Sequence, residues 1–177
     1  MSYFGKHYEN LDNKDRHVML MGWFALTAAH LEARTEIILL RLIGAHNKYG
    51  GAAVRYLSQQ AQRDLIKKII LDKHGKESDA YKLFHEKLGG AKESMDARNH
   101  YLHAVYDWTG EKINKTILKR GKLVPDVGVI DISELENDVR TAIQSLNGLT
   151  ELAMSGFVPN DPPPEEQDRT TALAEAL

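Results

Sequence analysis

Between Asp96 and Trp108 the chain reads Asp-Ala-Arg-Asn-His-Tyr-Leu-His-Ala-Val-Tyr-Asp-Trp, a run more polar than a helix needs in order to build a core. Its residue types are those of acid–base chemistry on an anion. Histidine is the side chain whose ordinary pKa lies nearest neutrality. Arginine offers a planar fork of donors that matches a phosphate. A carboxylate beside a histidine selects its tautomer and raises the basicity of the far ring nitrogen.

The run follows Ala91 to Ala97, which read as helix, and no Gly or Pro falls between Gly90 and Gly110. Continued as one helix at about 100° per residue, Asn99, His103 and Tyr106 form one stripe. Asp96, His100, His103 and Asp107 form a second, which sets Asp96 one turn from His100 and Asp107 one turn from His103. Arg98 lies about 140° round the helix from His103, so one helix does not aim both at one small atom. Two copies packed across a two-fold axis can bring both to a shared cleft.

Arg98-Asn99, three residues, then His103 resembles the signature of the HEPN superfamily: Arg, four to six residues, His, with a polar residue after the Arg. In layout the resemblance spans Val18 to Met154. It implies an all-α fold, an up-and-down bundle of four to five helices, and in many members a metal-independent ribonuclease whose site forms at a homodimer interface. Other members are inactive binding modules. Some of the ribonucleases are toxins paired with an antitoxin that modifies a Tyr two residues after the motif His. Here that position is Val105 and the next Tyr is Tyr106, a departure from that pattern.

The chemistry so implied needs no cofactor, because RNA carries its own nucleophile, the 2′-hydroxyl. A base must take that proton, a cation must meet the charge growing on phosphorus, and an acid must protonate the leaving 5′-oxygen. Arg98, Asn99 and His103 are the catalytic candidates, with Asp96, His100, Tyr106 and Asp107 supporting. Two readings of other classes stand beside this one. In the first, the helical module is non-catalytic and uses the same cleft to bind RNA, a nucleotide or a partner protein. In the second, the motif is a structural polar seam in a homodimer, with His103 bonded to Asp107 or to a carboxylate of the first long helix and Arg98 paired to an acid such as Glu32 or Glu36.

Composition narrows the classes. With 177 residues the chain is long enough for one well-cored domain and a tail. It has no cysteine, hence neither a disulfide framework nor thiolate chemistry. A net charge of −2 argues against strong non-specific duplex binding but leaves room for a local basic cleft. Ser2 to Lys14 has no apolar run, and Met19 to Ile43 is broken by His30, Glu32, Arg34, Glu36 and Arg41, so neither a signal peptide nor a membrane span is expected and a cytoplasmic location is.

The elements that must position the motif follow from apolar spacing. Residues 1–14 read as an irregular arm, with Asp12 or Asn13 capping a long helix over Asp15 to Ile43 that Gly44 ends. Glu32 and Glu36 share a face of it and are candidates to meet the His-bearing helix. His46 to Gly51 reads as a loop. Ala52 to His74 reads as one helix with a basic side carrying Arg63, Lys67, Lys68 and Lys73. The motif helix runs from Ser78 to Trp108, with a kink or break expected at Gly89-Gly90. Residues 109–131 read as a β-hairpin or extended insert whose Lys112, Lys115, Lys119, Arg120 and Lys122 make either a solvated loop or a flap over RNA. Ser133 to Glu136 has a capping-box pattern and opens a helix to Met154. Residues 1–158 thus form the domain, and 159–177, Pro-rich and acidic, a flexible tail.

Overall fold

A computed structural model describes residues 5–44, 48–109, 112–119 and 122–158; the expected tail, 159–177, and Arg120 lie outside the described residues. The architecture is the expected helical bundle with a small antiparallel insert before the last helix. Helices α1 (Gly5–Glu9), α2 (Asn13–Ile43), α3 (Lys48–Arg55), α4 (Gln59–His74) and α5 (Asp79–Leu102) lead into strands β1 (Ala104–Thr109), β2 (Lys112–Lys119) and β3 (Lys122–Val129). Helix α6 (Ile132–Met154) follows.

The long helix α2 is the axis of the bundle. It packs along α6 and is flanked by α3, α4 and α5. Its buried stripe runs His17, Leu20, Phe24, Thr27, Ala28, Leu31, Thr35, Ile38, Leu39 and Leu42, the three-and-four spacing of one helix face. Asp12 caps it by accepting the Asp15 N–H at 2.8 Å, and Gly44 ends it at φ 66°, a left-handed position that suits glycine. The core has two parts. One gathers Ile38, Leu39, Ile66, Ile70, Phe84 and Leu88 with the end of α6. The other gathers Leu20, Phe24, Tyr101, Leu135 and Val139 under the motif.

Several boundaries differ from the sequence expectation. The arm contains the helical turn α1, held because the Tyr8 hydroxyl donates to Glu136 on α6. The expected single helix over Ala52–His74 is two. Ser58 is extended and caps α4, and the buried Gln62 amide donates to Val54 O at 3.1 Å and Leu57 O at 3.3 Å, which satisfies carbonyls at the end of α3. The expected kink at Gly89-Gly90 is absent as a break, since α5 runs through both. Glycine serves packing there: a Cβ on Gly90 would lie 3.2 Å from Ser145 Oγ on α6, and Ser94 donates to Gly90 O at 2.9 Å. The last helix is capped by Asp131, which accepts from Ser133 N at 2.8 Å, and Ser133 does not act as its cap.

The largest correction falls on the motif. Helix α5 stops at Leu102, and residues 104–108, expected as helix, form strand β1 together with Thr109. Ala104 pairs with Ile117, Tyr106 with Lys115 and Trp108 with Ile113, and β2 pairs in turn with β3, giving the sheet order β1-β2-β3. The expected hairpin is therefore present as β2 and β3, and β1, drawn from the motif itself, adds a third antiparallel strand to it.

Candidate functional site at the end of the motif helix

Because α5 ends at Leu102, His103 is the residue that caps it, with φ −95° and ψ 10°. Its backbone N–H donates to Asn99 O at 3.2 Å. Asn99, His100 and His103 are all exposed. They crowd the last turn of α5, where carbonyls without helical partners carry partial negative charge.

Arg98 points the other way, into the bundle. Its Nη2 meets Glu32 Oε1 on α2 at 3.0 Å, with the Arg98 side chain only 20% exposed, and its Nε is buried with no hydrogen-bond partner among the described residues. The expected pairing of Arg98 with an acid of α2 is thus the arrangement found. Glu36, the other candidate acid, instead takes Arg55 of α3 at 2.9 Å.

The expected stripes do not survive the change of element. Asn99, His103 and Tyr106 cannot share one helical face when Tyr106 sits on a strand. Side chains alternate along β1, so Tyr106 turns inward while Asp107 is exposed beside its strand partner Asn114. Asp107 therefore does not stand one turn beyond His103. Asp96 is bound to Lys92 at 2.6 Å rather than to His100. His100 meets Lys115 of β2 through its Nε2, and Lys115 also lies 5.1 Å from the Tyr101 ring centre. Lys119 lies on β2 with only its backbone described, and Arg120 lies outside the described residues.

Beneath the exposed turn is an aromatic floor. The Tyr106 hydroxyl donates to Tyr101 O, which ties β1 to the helix end, and burial pushes its pKa up to about 12. The Tyr101 hydroxyl donates to Asp138 on α6 at 2.9 Å; burial, with that carboxylate, pushes its pKa well above the usual phenol value. The Tyr101 ring lies 5.9 Å from Phe24. His17 of α2 packs edge-on against Tyr106 at 4.5 Å and Trp108 at 6.0 Å. It is 2% exposed, neither ring nitrogen has a partner among the described residues, and burial lowers its pKa.

Three features escaped the sequence reading. His17 was legible in principle, since it stands three and seven residues before Leu20 and Phe24 on the apolar stripe. Lys115 was read only as part of a basic insert, because its approach to His100 depends on the β1–β2 register. Arg63 of α4 was assigned to a solvated face. It is buried, its guanidinium donates to Gln60 Oε1 at 3.1 Å, and its Nε is unpartnered among the described residues. Burial lowers its pKa, opposed by the carboxylates of Asp96, Asp64 and Glu32. Glu32 therefore faces two arginines, Arg98 and Arg63, from different helices.

No three His, Asp or Glu side chains converge as a metal-binding group among the described residues. None of the helices is long and apolar enough to cross a membrane among the described residues. No family model matches the chain, and no curated protein or solved structure gives a significant match.

Proposed function

We propose that this protein is a metal-independent endoribonuclease that works as a homodimer, with Arg98, Asn99 and His103 as its reacting set. The observation that carries the reading is the exposed last turn of α5. Asn99 and His103 share it, joined by the His103 N–H bond to Asn99 O at 3.2 Å, with Lys115 alongside on β2. A histidine at that place is open to solvent and to a long polyanion.

In the reaction His103 takes the proton of a ribose 2′-hydroxyl. The 2′-oxygen attacks the adjacent phosphorus, the bond from phosphorus to the 5′-oxygen breaks, and a protonated imidazole returns a proton to that oxygen. The products carry a 2′,3′-cyclic phosphate and a 5′-hydroxyl. Arg98 supplies charge-assisted hydrogen bonds to the phosphate oxygens as negative charge grows on them. Its Glu32 partner is 39% exposed, near enough to solvent for the ion pair to be exchanged for a phosphate at modest cost. Asn99 positions the phosphate, and Lys115 adds positive charge along the RNA path.

A second reading is favoured by one specific observation. Arg98 is tied to Glu32 and mostly buried in the single chain, which suits a helical module that binds RNA or a nucleotide through Asn99, His100 and His103 without cleaving it.

The experiment is cleavage of a mixed RNA pool in excess chelator by the wild type and by His103→Ala. Metal-free cleavage by the wild type alone, leaving cyclic phosphate ends, is the expected result. Ends bearing a 3′-hydroxyl, or equal cleavage by both proteins, overturn the mechanism. Binding by the wild type that His103→Ala weakens, without turnover in either, moves the assignment to the binding module.

A further inference from the structure

We propose that Arg63 of α4 is a positioning residue for the motif: a second cation that competes with Arg98 for Glu32, so that Arg98 can pass to a reacting phosphate without leaving that carboxylate bare. The transfer to phosphate rests on the ribonuclease reading; the competition for Glu32 does not.

Arg63 is poorly accounted for by packing. It lies on the buried face of α4 with Gln62, Ile66 and Ile70 and is 7% exposed. A cation so deeply placed is ordinarily paired. No carboxylate lies within ion-pair distance of it among the described residues. Its guanidinium donates to the neutral Gln60 Oε1 at 3.1 Å, and its Nε has no partner among the described residues. A methionine there would bury a similar stem and orphan no donor.

Three carboxylates are near enough for their charge to act on Arg63, Asp96 most strongly, then Asp64 and Glu32. Asp96 is 61% exposed and held by Lys92 at 2.6 Å. Asp64 is exposed and accepts from Gln60 Nε2 at 2.8 Å. Glu32 is less open to water than either. Arg98 Nη2 donates to its Oε1 at 3.0 Å, and its Oε2 accepts from no side chain among the described residues. Helices α2, α4 and α5 each pack on the other two. Glu32 of α2 therefore stands between one arginine from α4 and one from α5, and has an oxygen to spare.

Two cations near one carboxylate repel each other, which loosens the hold of Glu32 on Arg98. When charge grows on a phosphate and draws Arg98 away, a partly buried Glu32 without a partner would be costly. Arg63 can then exchange its neutral bond with Gln60 for a charge-assisted one with Glu32 Oε2. One cation stays with Glu32 before and after the exchange, so releasing Arg98 at the moment of reaction costs less.

The test compares Arg63→Met and Arg63→Gln, which remove the cation, with Arg63→Lys, which keeps it. Two charge-removing variants guard against a fold lost at one. Without RNA, urea unfolding of Glu32→Gln, Arg98→Gln and the double variant gives the coupling between that pair. Expressed as an unfolding equilibrium constant, the coupling should be at least about threefold larger in Arg63→Met and Arg63→Gln than in the wild type, and unchanged in Arg63→Lys. Equal or smaller coupling once the cation is removed overturns the competition. With RNA in excess chelator, Arg63→Met should lower kcat about tenfold at nearly constant KM, because Arg98 is held back only from the transition state. Arg63→Lys should keep the wild-type rate, and in the Glu32→Gln chain Arg63→Met should leave kcat unaltered. An equal fall in both backgrounds overturns the positioning role. So does a slope of log affinity against log salt that is shallower by about one in Arg63→Met, since Arg63 would then touch the RNA itself. A wild type that cuts no RNA overturns the ribonuclease reading, while the unfolding cycle still decides the competition.

Discussion

Arg98 and Glu32 meet at 3.0 Å across the contact of α5 with α2, so the one cation of the motif is held by a carboxylate from the central helix. Arg63 shares that carboxylate's surroundings from α4. Glu32 on α2 thus pairs with Arg98 of α5 and lends its charge to Arg63 of α4. Glu32→Gln should release Arg98. RNA affinity should rise and the slope of log affinity against log salt should steepen by about one, measured by fluorescence anisotropy. Because Arg98 is mostly buried and loses its partner, stability should fall by about 1–3 kcal/mol. An unchanged salt slope would mean that Arg98 does not face the RNA.

His17 is a buried imidazole held neutral beneath the sheet. Its folded pKa lies below the ordinary value of about 6.5, so the unfolded chain takes up the proton first. The stability linked to His17 is fully present above that ordinary value and is lost as pH falls from there toward the folded pKa. Urea melts between neutral pH and pH 5 should show this loss. His17→Phe should flatten that part of the profile while keeping the aromatic contacts with Tyr106 and Trp108.

Tyr106→Phe deletes the hydroxyl that donates to Tyr101 O and leaves that carbonyl short of a partner. The expected loss is about 1 kcal/mol. Because the bond joins β1 to the helix end, faster amide exchange at His103 to Tyr106 should accompany it. An unchanged midpoint and exchange pattern would show that strand pairing alone holds the junction.

Gly89 and Gly90 separate two roles of glycine in one helix. A Cβ on Gly89 meets nothing within 4 Å, whereas one on Gly90 meets Ser145 Oγ at 3.2 Å. Gly89→Ala should stabilise by about 0.5–1 kcal/mol through the unfolded chain and helix propensity. Gly90→Leu should destabilise by about 1–3 kcal/mol, because it forces α5 from α6. Thermal melts of the two variants check the pair, and a loss from Gly89→Ala would indicate that α5 is bent there.

Much of the fold was already legible in local pattern. The span of α2, its Asp12 cap and Gly44 stop, the Ser78 cap of α5 and the apolar run of α6 are set by residues within a few positions of one another. Contacts of that range are what helical periodicity and capping express. The packing face of α2 is not set that way, since Met19, Trp23 and Leu26 repeat at the spacing expected of its apolar face, yet Trp23 and Leu26 are exposed and Leu20 and Phe24 are buried. The elements misjudged were those decided at a distance. Residues 104–109 have aromatic and β-branched character that suits a strand, but only pairing with Ile113 to Ile117 ends α5 at Leu102. That ending moves Tyr106 and Asp107 away from the His103 face.

The same division runs through the site. The sequence by itself determined which groups with useful chemistry lie near the end of one helix: Arg98, Asn99, His100 and His103. It also determined that Arg98 and His103 diverge, because helical geometry separates residues five apart. Only the tertiary structure decided that Arg98 is held by Glu32, that Asp96 serves Lys92, that His100 meets Lys115, and that His17 is sealed beneath Tyr106 and Trp108. The physical reason is range. Backbone hydrogen bonds and apolar periodicity act over one or two turns, whereas the partner of a charge is whichever opposite group the packing of α2, α4, α5 and the sheet brings within a few ångströms.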